Sequence, residues 1–316
     1  MRKNIVIQGA LIAGIILLAG YQFLGNRNAE PVRIRIATGG ESGVYYAYGN
    51  ALAEILEKRL NVQVTALQSG GSVDNIHLLK NGRAEIAFVQ NDIMTYAYNG
   101  TNLFSAEGRF EDLSAIAGLY PETCQIVARS EIGGILDLRG KRVSVGDEGS
   151  GTELNALQIL GAYGISYADI DVDHLSFGAS VEAFKDGRID AFFCTAGVPT
   201  PAISELAAKG GARLLSVGDA HARSLISQYP FYTQHIVPGG VYPGVDEAPT
   251  VAVRAVLATN GRLGDELVSE IVKILFDSRD EIAKSLPEAG DLNRGGAAEG
   301  ITIPLHPEAE KYLFGS

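Results

Sequence analysis

The sequence predicts an α/β protein of two similar lobes, each with a mostly parallel sheet covered by helices on both faces. Three observations support this fold class. The chain has 316 residues, of which 46% are hydrophobic, enough to fill two cores. Predicted strands alternate with helical segments along the chain. A unit of strand, glycine loop and helix occurs twice, first around Gly39 and again around Gly146, too far apart for a solenoid repeat.

The N-terminal segment reads as an export signal. Arg2 and Lys3 precede an uncharged apolar stretch at residues 5–24, the order of a signal peptide. Twenty helical residues rise about 30 Å, which is also enough to cross a membrane. We therefore expect residues 1–31 to form a cleaved signal or a retained membrane anchor plus a linker, and the protein to lie outside the cytoplasm.

The first lobe begins with a strand in which Val32, Ile34 and Ile36 alternate with arginines. The glycine loop at residues 39–43 follows, then a helix with an apolar face that includes Tyr45, and a second strand at residues 62–66. The second copy starts at residues 142–145 and runs through the loop at residues 146–153 into another helix.

Similar turns close a later helix in each copy. Gly82 and Gly187 occupy equivalent positions in them and fit the left-handed residue that ends a helix. The region after Gly239 lacks a third glycine loop and is expected to complete the first lobe. With chain crossings near Tyr120 and His235, lobe one is predicted at residues 32–121 and 236–316, and lobe two at residues 122–235.

Both glycine loops fall at the carboxyl ends of strands, where α/β sheets bind small molecules, so a ligand is expected between the lobes. Backbone N–H groups at the helix start after Gly149 would hold a carboxylate. Three alternatives stay open: Ser150 and Glu153 form only a capping box, Tyr45 only packs the core, and the polar run at residues 90–92 is only a turn. The predicted ligand-binding residues are Gly40, Ser42, Tyr45, Gln90, Asp92, Ser150, Gly151, Thr152, Thr195 and Gly197.

Composition and motif content argue against several classes of function. A net charge of -11 argues against nucleic-acid binding, and five scattered histidines predict no metal site. No nucleotide-binding glycine motif follows either strand, so no cofactor is expected. Cys124 and Cys194 are either a disulfide or two buried thiols. An enzyme with Cys194 as nucleophile and His174 or His235 as base, and a membrane-held sensory domain, are the rival hypotheses.

One set of residues and short runs occurs in a single order between residue 34 and residue 314: Gly39, Gly40, Gly43, Tyr45, Tyr46, the runs 88–90, 149–153, 191–193, 197–199 and 242–244, and Asp92. In these residues the chain resembles the TAXI-type receptors of TRAP transporters. Cys194 and Thr195 depart from the commoner pattern.

The resemblance implies a type II periplasmic-binding-protein fold and a periplasmic, non-enzymatic receptor, anchored to the inner membrane if its N-terminal segment is retained. It also implies a small carboxylate ligand of the glutamate, glutamine or 2-oxoglutarate class. The implied partners are TRAP membrane subunits driven by a sodium or proton gradient.

Overall fold

The computed structural model describes residues 31–210 and 213–315, so the predicted signal or anchor segment at residues 5–24 lies outside the described residues. In the described part of the chain, no helix combines the length and apolar composition that crossing a membrane requires.

Ten strands and ten helices alternate along these residues in the predicted manner. The strands are β1 (Val32–Ala37), β2 (Val62–Leu67), β3 (Ile86–Gln90), β4 (Leu113–Ala128), β5 (Arg142–Ser144), β6 (Asp171–Asp173), β7 (Ala191–Ala196), β8 (Arg213–Leu214), β9 (Thr233–Val237) and β10 (Ala248–Asn260). The helices are α1 (Val44–Arg59), α2 (Ser72–Lys80), α3 (Asn91–Asn99), α4 (Gly151–Ala162), α5 (Phe177–Lys185), α6 (Pro201–Ala208), α7 (Asp219–Gln228), α8 (Asp265–Asp277), α9 (Arg279–Ile282) and α10 (Pro307–Phe314).

The strands form one mixed sheet in the order β2-β1-β3-β10-β4-β7-β5-β6, with β8 beside β4 and β9 beside β10. The parallel group β2-β1-β3 belongs to the first lobe, and the parallel group β7-β5-β6 to the second. The predicted two-lobed α/β architecture is confirmed. The two expected sheets are hydrogen-bonded into one because β4 and β10, of 16 and 13 residues, are long enough to pair in both lobes.

The chain passes between the lobes along β4 and β10, which pair with each other in antiparallel fashion. Leu119 of β4 packs in the core shared by both lobes, whereas Ile126 packs in the core beneath lobe two. In β10, Val251 and Val253 belong to that second core, and the strand enters lobe one only after them. The first half of β10 therefore packs with lobe two, while the crossings near Tyr120 and His235 and the division at residues 235 and 236 stay predictions.

A partly exposed ion pair repeats in the two lobes and reflects the duplication seen in the sequence. Arg35 Nε donates to Glu85 Oε2 at 3.1 Å, and Arg142 Nε donates to Asp190 Oδ2 at 3.0 Å. Each arginine also donates to the carbonyl of the helix-ending glycine, at 2.8 Å for residue 82 and 2.7 Å for residue 187. These glycines have φ of 64° and 73°, the left-handed conformation that the sequence predicts.

Candidate functional site

A cavity of about 90 Å³ lies between the lobes, at the carboxyl ends of β3 and β7. A single water needs roughly 10–15 Å³ by the same measure, so the cavity has room for a small solute. Its walls include the first glycine loop, with Gly39 and Gly43, and the start of the helix after the second loop. The duplicated units therefore face each other across one space, as the sequence predicts.

Four helices begin at the cavity wall. Their N-cap residues are Gly43 for α1, Gly71 for α2, Ser150 for α4 and Ser176 for α5. In α1 and α2 no side chain caps the helix, so the first-turn N–H groups stay free for another acceptor. Free N–H groups and the positive ends of helix dipoles favour a negative charge at this place.

The start of α4 contains both a capping interaction and residues that line the cavity. Ser150 Oγ accepts from the backbone N–H of Glu153 at 3.1 Å, and Glu153 Oε2 accepts from the N–H of Gly149 at 2.6 Å. Glu153 thus caps the start of its own helix, as the capping-box alternative expected. Thr152 Oγ1 accepts from the N–H of Thr195 at 3.3 Å, which leaves its hydroxyl proton available to the cavity.

Most of the residues predicted to bind ligand line this cavity, although contact with a ligand stays a prediction. The lining members of that set are Gly40, Ser42, Tyr45, Gln90, Ser150, Gly151, Thr152 and Thr195. Asp92 and Gly197 do not line it.

Asp92 lies instead in a buried polar network where the lobes touch. Its Oδ2 accepts from Asn155 Nδ2 of α4 at 3.2 Å, and the same nitrogen donates to the hydroxyl of Tyr232 at 2.9 Å. Tyr232 in turn donates to Gln158 Oε1 at 2.6 Å. Only 1% of Asp92 is exposed, and this burial raises the pKa of its carboxyl to about 6.

Gly197 lies behind the cavity, against the crossing strands. A Cβ at this position would lie 2.6 Å from Glu288 Cγ and 3.2 Å from the ring of Tyr120. Glycine is required here by packing, because no larger residue fits without moving one of these neighbours.

Glu122 is one of several cavity-wall residues that the sequence analysis missed, together with Ser72, Asp147, Ser176 and Phe177. It lies on β4, is 2% exposed, and accepts a hydrogen bond from the Tyr45 hydroxyl at 2.6 Å through Oε2. Burial raises the pKa of the Glu122 carboxyl to about 8. Glu122 is the one charged residue in residues 113–128, and this is the signal that could have identified it.

Tyr45 packs in the core, as the alternative interpretation of the sequence expected, while its contact with a ligand stays a prediction. Its ring packs on Phe88 with centroids 5.3 Å apart, while its hydroxyl reaches Glu122 at the cavity wall. Tyr48, on the same helix, is buried in the core.

The lobes are in contact around the cavity. The N–H of Ala202 in lobe two donates to the carbonyl of Ser42 in lobe one at 3.3 Å. Gly151 packs against the amide of Gln90 so closely that a Cβ would overlap it, and Gly43 meets the ring of Phe177. The structure is therefore a closed form of the cleft.

The side chains around the cavity are acidic or neutral. Among the described residues that line it, Glu41, Glu122 and Asp147 carry carboxyl groups, and none is lysine, arginine or histidine. Within residues 31–210 and 213–315, no cluster of three or more histidine, cysteine or acidic side chains could hold a metal ion. Anion binding at this site would thus depend on backbone N–H groups and hydroxyls.

Cys124 and Cys194 are both free thiols in the structure, so the disulfide alternative is not realised. They occupy neighbouring strands, but Cys124 pairs with Thr195 and packs in one core, whereas Cys194 packs in the other. Side chains on opposite faces of a sheet cannot be bridged. Burial also raises the pKa of the Cys194 thiol, which does not line the cavity, so it lacks the accessible thiolate that a nucleophile needs.

Solved structures share this fold at low sequence identity. The alkanesulfonate-binding protein SsuA from Xanthomonas axonopodis pv. citri, bound to MOPS, matches with a TM-score of 0.50 and 18% identity, covering 90% of this chain and 91% of that one. The PhnD1 protein from Prochlorococcus marinus, in complex with methylphosphonate, matches with a TM-score of 0.54 and 12% identity over 83% and 90%. The ligand-binding component of an ABC-type import system from Staphylococcus aureus matches with a TM-score of 0.50 and 13% identity over 89% and 89%.

These neighbours are solute-binding proteins rather than enzymes, and the fold is the one that extracytoplasmic solute-binding proteins of transport systems use. The sequence profile of the NMT1-like family matches residues 36–314. Since that match spans nearly the whole described structure, the chain is a member of the NMT1-like family with a type II periplasmic-binding-protein fold.

Proposed function

We propose that this protein is the extracytoplasmic receptor of a TRAP-type secondary transporter, and that it captures a small carboxylate of the glutamate, glutamine or 2-oxoglutarate class without altering it. The observation that carries the proposal is the closed cavity into which helix starts from both lobes converge. Such a site grips an anion with main-chain donors when the lobes close.

Three further observations support binding rather than catalysis. The cavity contains hydroxyls and backbone donors but neither a histidine nor an accessible thiol among its described lining residues. Gln90 lines the cavity where the lobes meet, and its side-chain amide can donate to a carboxylate through Nε2. The assignment to a TRAP system rests on the sequence resemblance between residues 34 and 314.

A binding screen tests the ligand class. The purified protein is titrated calorimetrically with L-glutamate, L-glutamine and 2-oxoglutarate, and with MOPS and methylphosphonate as the comparison anions. We expect at least one carboxylate to bind with a Kd of about micromolar or below. Tighter binding of the sulfonate or phosphonate would contradict the carboxylate class, and chemical conversion of a bound compound would favour an enzyme.

The transporter type needs a separate measurement. Proteoliposomes that contain the partner membrane subunits and this receptor are loaded with a sodium or proton gradient, and ligand uptake is followed with and without internal ATP. We expect uptake to depend on the gradient and on the receptor. Uptake that needs ATP and no gradient would overturn the TRAP assignment while leaving the receptor role intact.

A further inference from the structure

Glu122 occupies an unusual position for an acidic residue. It lies on β4, one of the two strands that link the lobes, and its side chain forms part of the cavity wall. Oε2 is engaged by the Tyr45 hydroxyl, whose single proton makes that oxygen an acceptor. Oε1 makes no hydrogen bond to any described residue. It is also not one of the fully buried polar atoms that lack a partner, so it is accessible. This oxygen is therefore free to form a hydrogen bond with a molecule in the cavity.

Among the described residues, no cation offsets a negative charge on Glu122. The titratable groups facing it are Tyr45 from α1, Asp92 from α3, Tyr120 and Cys124 from its own strand, and Cys194 from β7. Glu41 and Asp147 are the other acids of the cavity wall. All of these groups are neutral or negative, so an ionised Glu122 would repel an anion held by the nearby helix starts.

We propose, on the basis of the receptor role above, that Glu122 takes part in capture as a neutral carboxylic acid whose Oε1–H donates a hydrogen bond to the anionic group of the solute. The proton comes from solvent whenever Glu122 is ionised before binding. Capture of the anion is then accompanied by uptake of a proton, and the receptor selects solutes that present an acceptor rather than an ammonium group to this position.

The physical chemistry of the site favours this protonation state. Burial already raises the pKa of Glu122 to about 8, and a second negative charge in the same small cavity raises it further. An ammonium group at Oε1 would act in the opposite direction, because it stabilises the carboxylate and expels the proton. Proton uptake on binding therefore indicates an anionic acceptor at Oε1, and proton release indicates an ammonium group.

The binding experiment uses 2-oxoglutarate, which has no ammonium group, titrated into the purified protein between about pH 6 and about pH 10. Two buffers with different heats of ionisation give the number of protons exchanged. We expect net proton uptake, and an affinity that falls with a slope approaching about tenfold per pH unit above about pH 8. Affinity that rises with pH, or proton release on binding, would overturn the proposal.

Variants identify the group responsible. Glu122→Gln should give a flat pH profile, since the amide donates permanently and cannot ionise. Glu54→Gln, on the exposed face of α1, is the matched control and should keep the wild-type slope. Asp92→Asn and Asp147→Asn should keep it as well. If the slope disappears in one of these two and not in Glu122→Gln, Glu122 is not the linked group.

A ligand-free measurement keeps the test independent of the proposed ligand. Protein labelled with ¹³C at the glutamate carboxyl carbons is titrated by NMR, and the Glu122 signal is assigned by its loss in Glu122→Gln. We expect this carboxyl to be largely protonated at about pH 7. A carboxyl that is fully ionised below about pH 6 would refute the proposal even if ligands bind. Conversely, a neutral Glu122 in a protein that binds no carboxylate would contradict the proposed ligand class alone.

Discussion

Some single residues both stabilise the fold and line the cavity. Thr152 is the clearest case, because its Oγ1 accepts from the backbone of Thr195 on the neighbouring strand while its proton is free. Tyr45 divides its ring and its hydroxyl between core and cavity in the same way. Such residues are restrained before ligand arrives, so little side-chain entropy remains to be lost on binding.

Replacing Thr152 by valine removes the hydroxyl and preserves the shape of the side chain. We expect the affinity for the best-binding carboxylate of the screen to fall by about 1 to 3 kcal/mol, the cost of losing a hydrogen bond to a charged group. Calorimetric titration measures the change. Thr65→Val on β2, an exposed position remote from the cavity, should bind like the wild type. Unchanged affinity in Thr152→Val would show that this hydroxyl does not contact the solute.

Among the helices, α4 depends most on the absence of a side chain. Its first residue, Gly151, packs on the buried amide of Gln90 from the opposite lobe, and a Cβ would overlap Oε1 and come within 2.9 Å of Nε2. The lobes can approach this closely only because residue 151 is a glycine.

Gly151→Ala should therefore hinder closure. We expect a loss of about 1 to 3 kcal/mol in ligand binding, as for other overpacked contacts. Small-angle scattering with saturating carboxylate should also show a larger radius of gyration than the wild type. Gly161→Ala lies in the same helix and meets no atom within 4 Å, so it serves as the control. That variant should close normally and gain about 0.5 to 1 kcal/mol of stability. Normal closure of Gly151→Ala would contradict this account of the contact.

Local patterns were sufficient to predict the elements and much of the cavity. The alternation of Val32, Ile34 and Ile36 identified β1, and the paired turns at Gly82 and Gly187 identified the duplication that the arginine contacts now show. These local patterns do not predict which residue of the other lobe a buried side chain will contact. Asp92 belongs to the right strand end but points to Asn155, a partner 63 residues later in the chain.

Glu122 was missed for the same reason, since its role depends on Tyr45 and on the cavity, neither of which is close in sequence. The second crossing was expected near His235 because the region after Gly239 lacks a third glycine loop, and this boundary stays a prediction. The first half of β10, with Val251 and Val253, packs in the core beneath lobe two. Pairing between distant strands decides such boundaries, and a local pattern does not encode it.

At the scale of the whole molecule, the lobes meet through buried polar groups, and this makes stability depend on pH. Asp92 is buried where they touch, and its pKa of about 6 exceeds the value of about 3.9 in an unfolded chain. Because the folded state binds the proton more tightly, this carboxyl contributes stability that is complete below about pH 4 and is lost as the pH rises through about 6. Glu122, with a pKa of about 8, extends the same trend to higher pH.

We therefore expect the melting temperature of the ligand-free protein to fall as the pH rises from about 4 to about 8. Asp92→Asn should remove the part of the fall below about pH 6, worth about 3 kcal/mol for a single carboxyl with this difference in pKa. Asp112→Asn, at an exposed position, should follow the wild-type curve and is the matched control. His235 and His306, whose pKa values burial lowers, act in the opposite direction over part of this range, so the comparison between Asp92→Asn and the wild type is decisive. If Asp92→Asn follows the wild-type curve between about pH 4 and about pH 6, Asp92 is not the linked group.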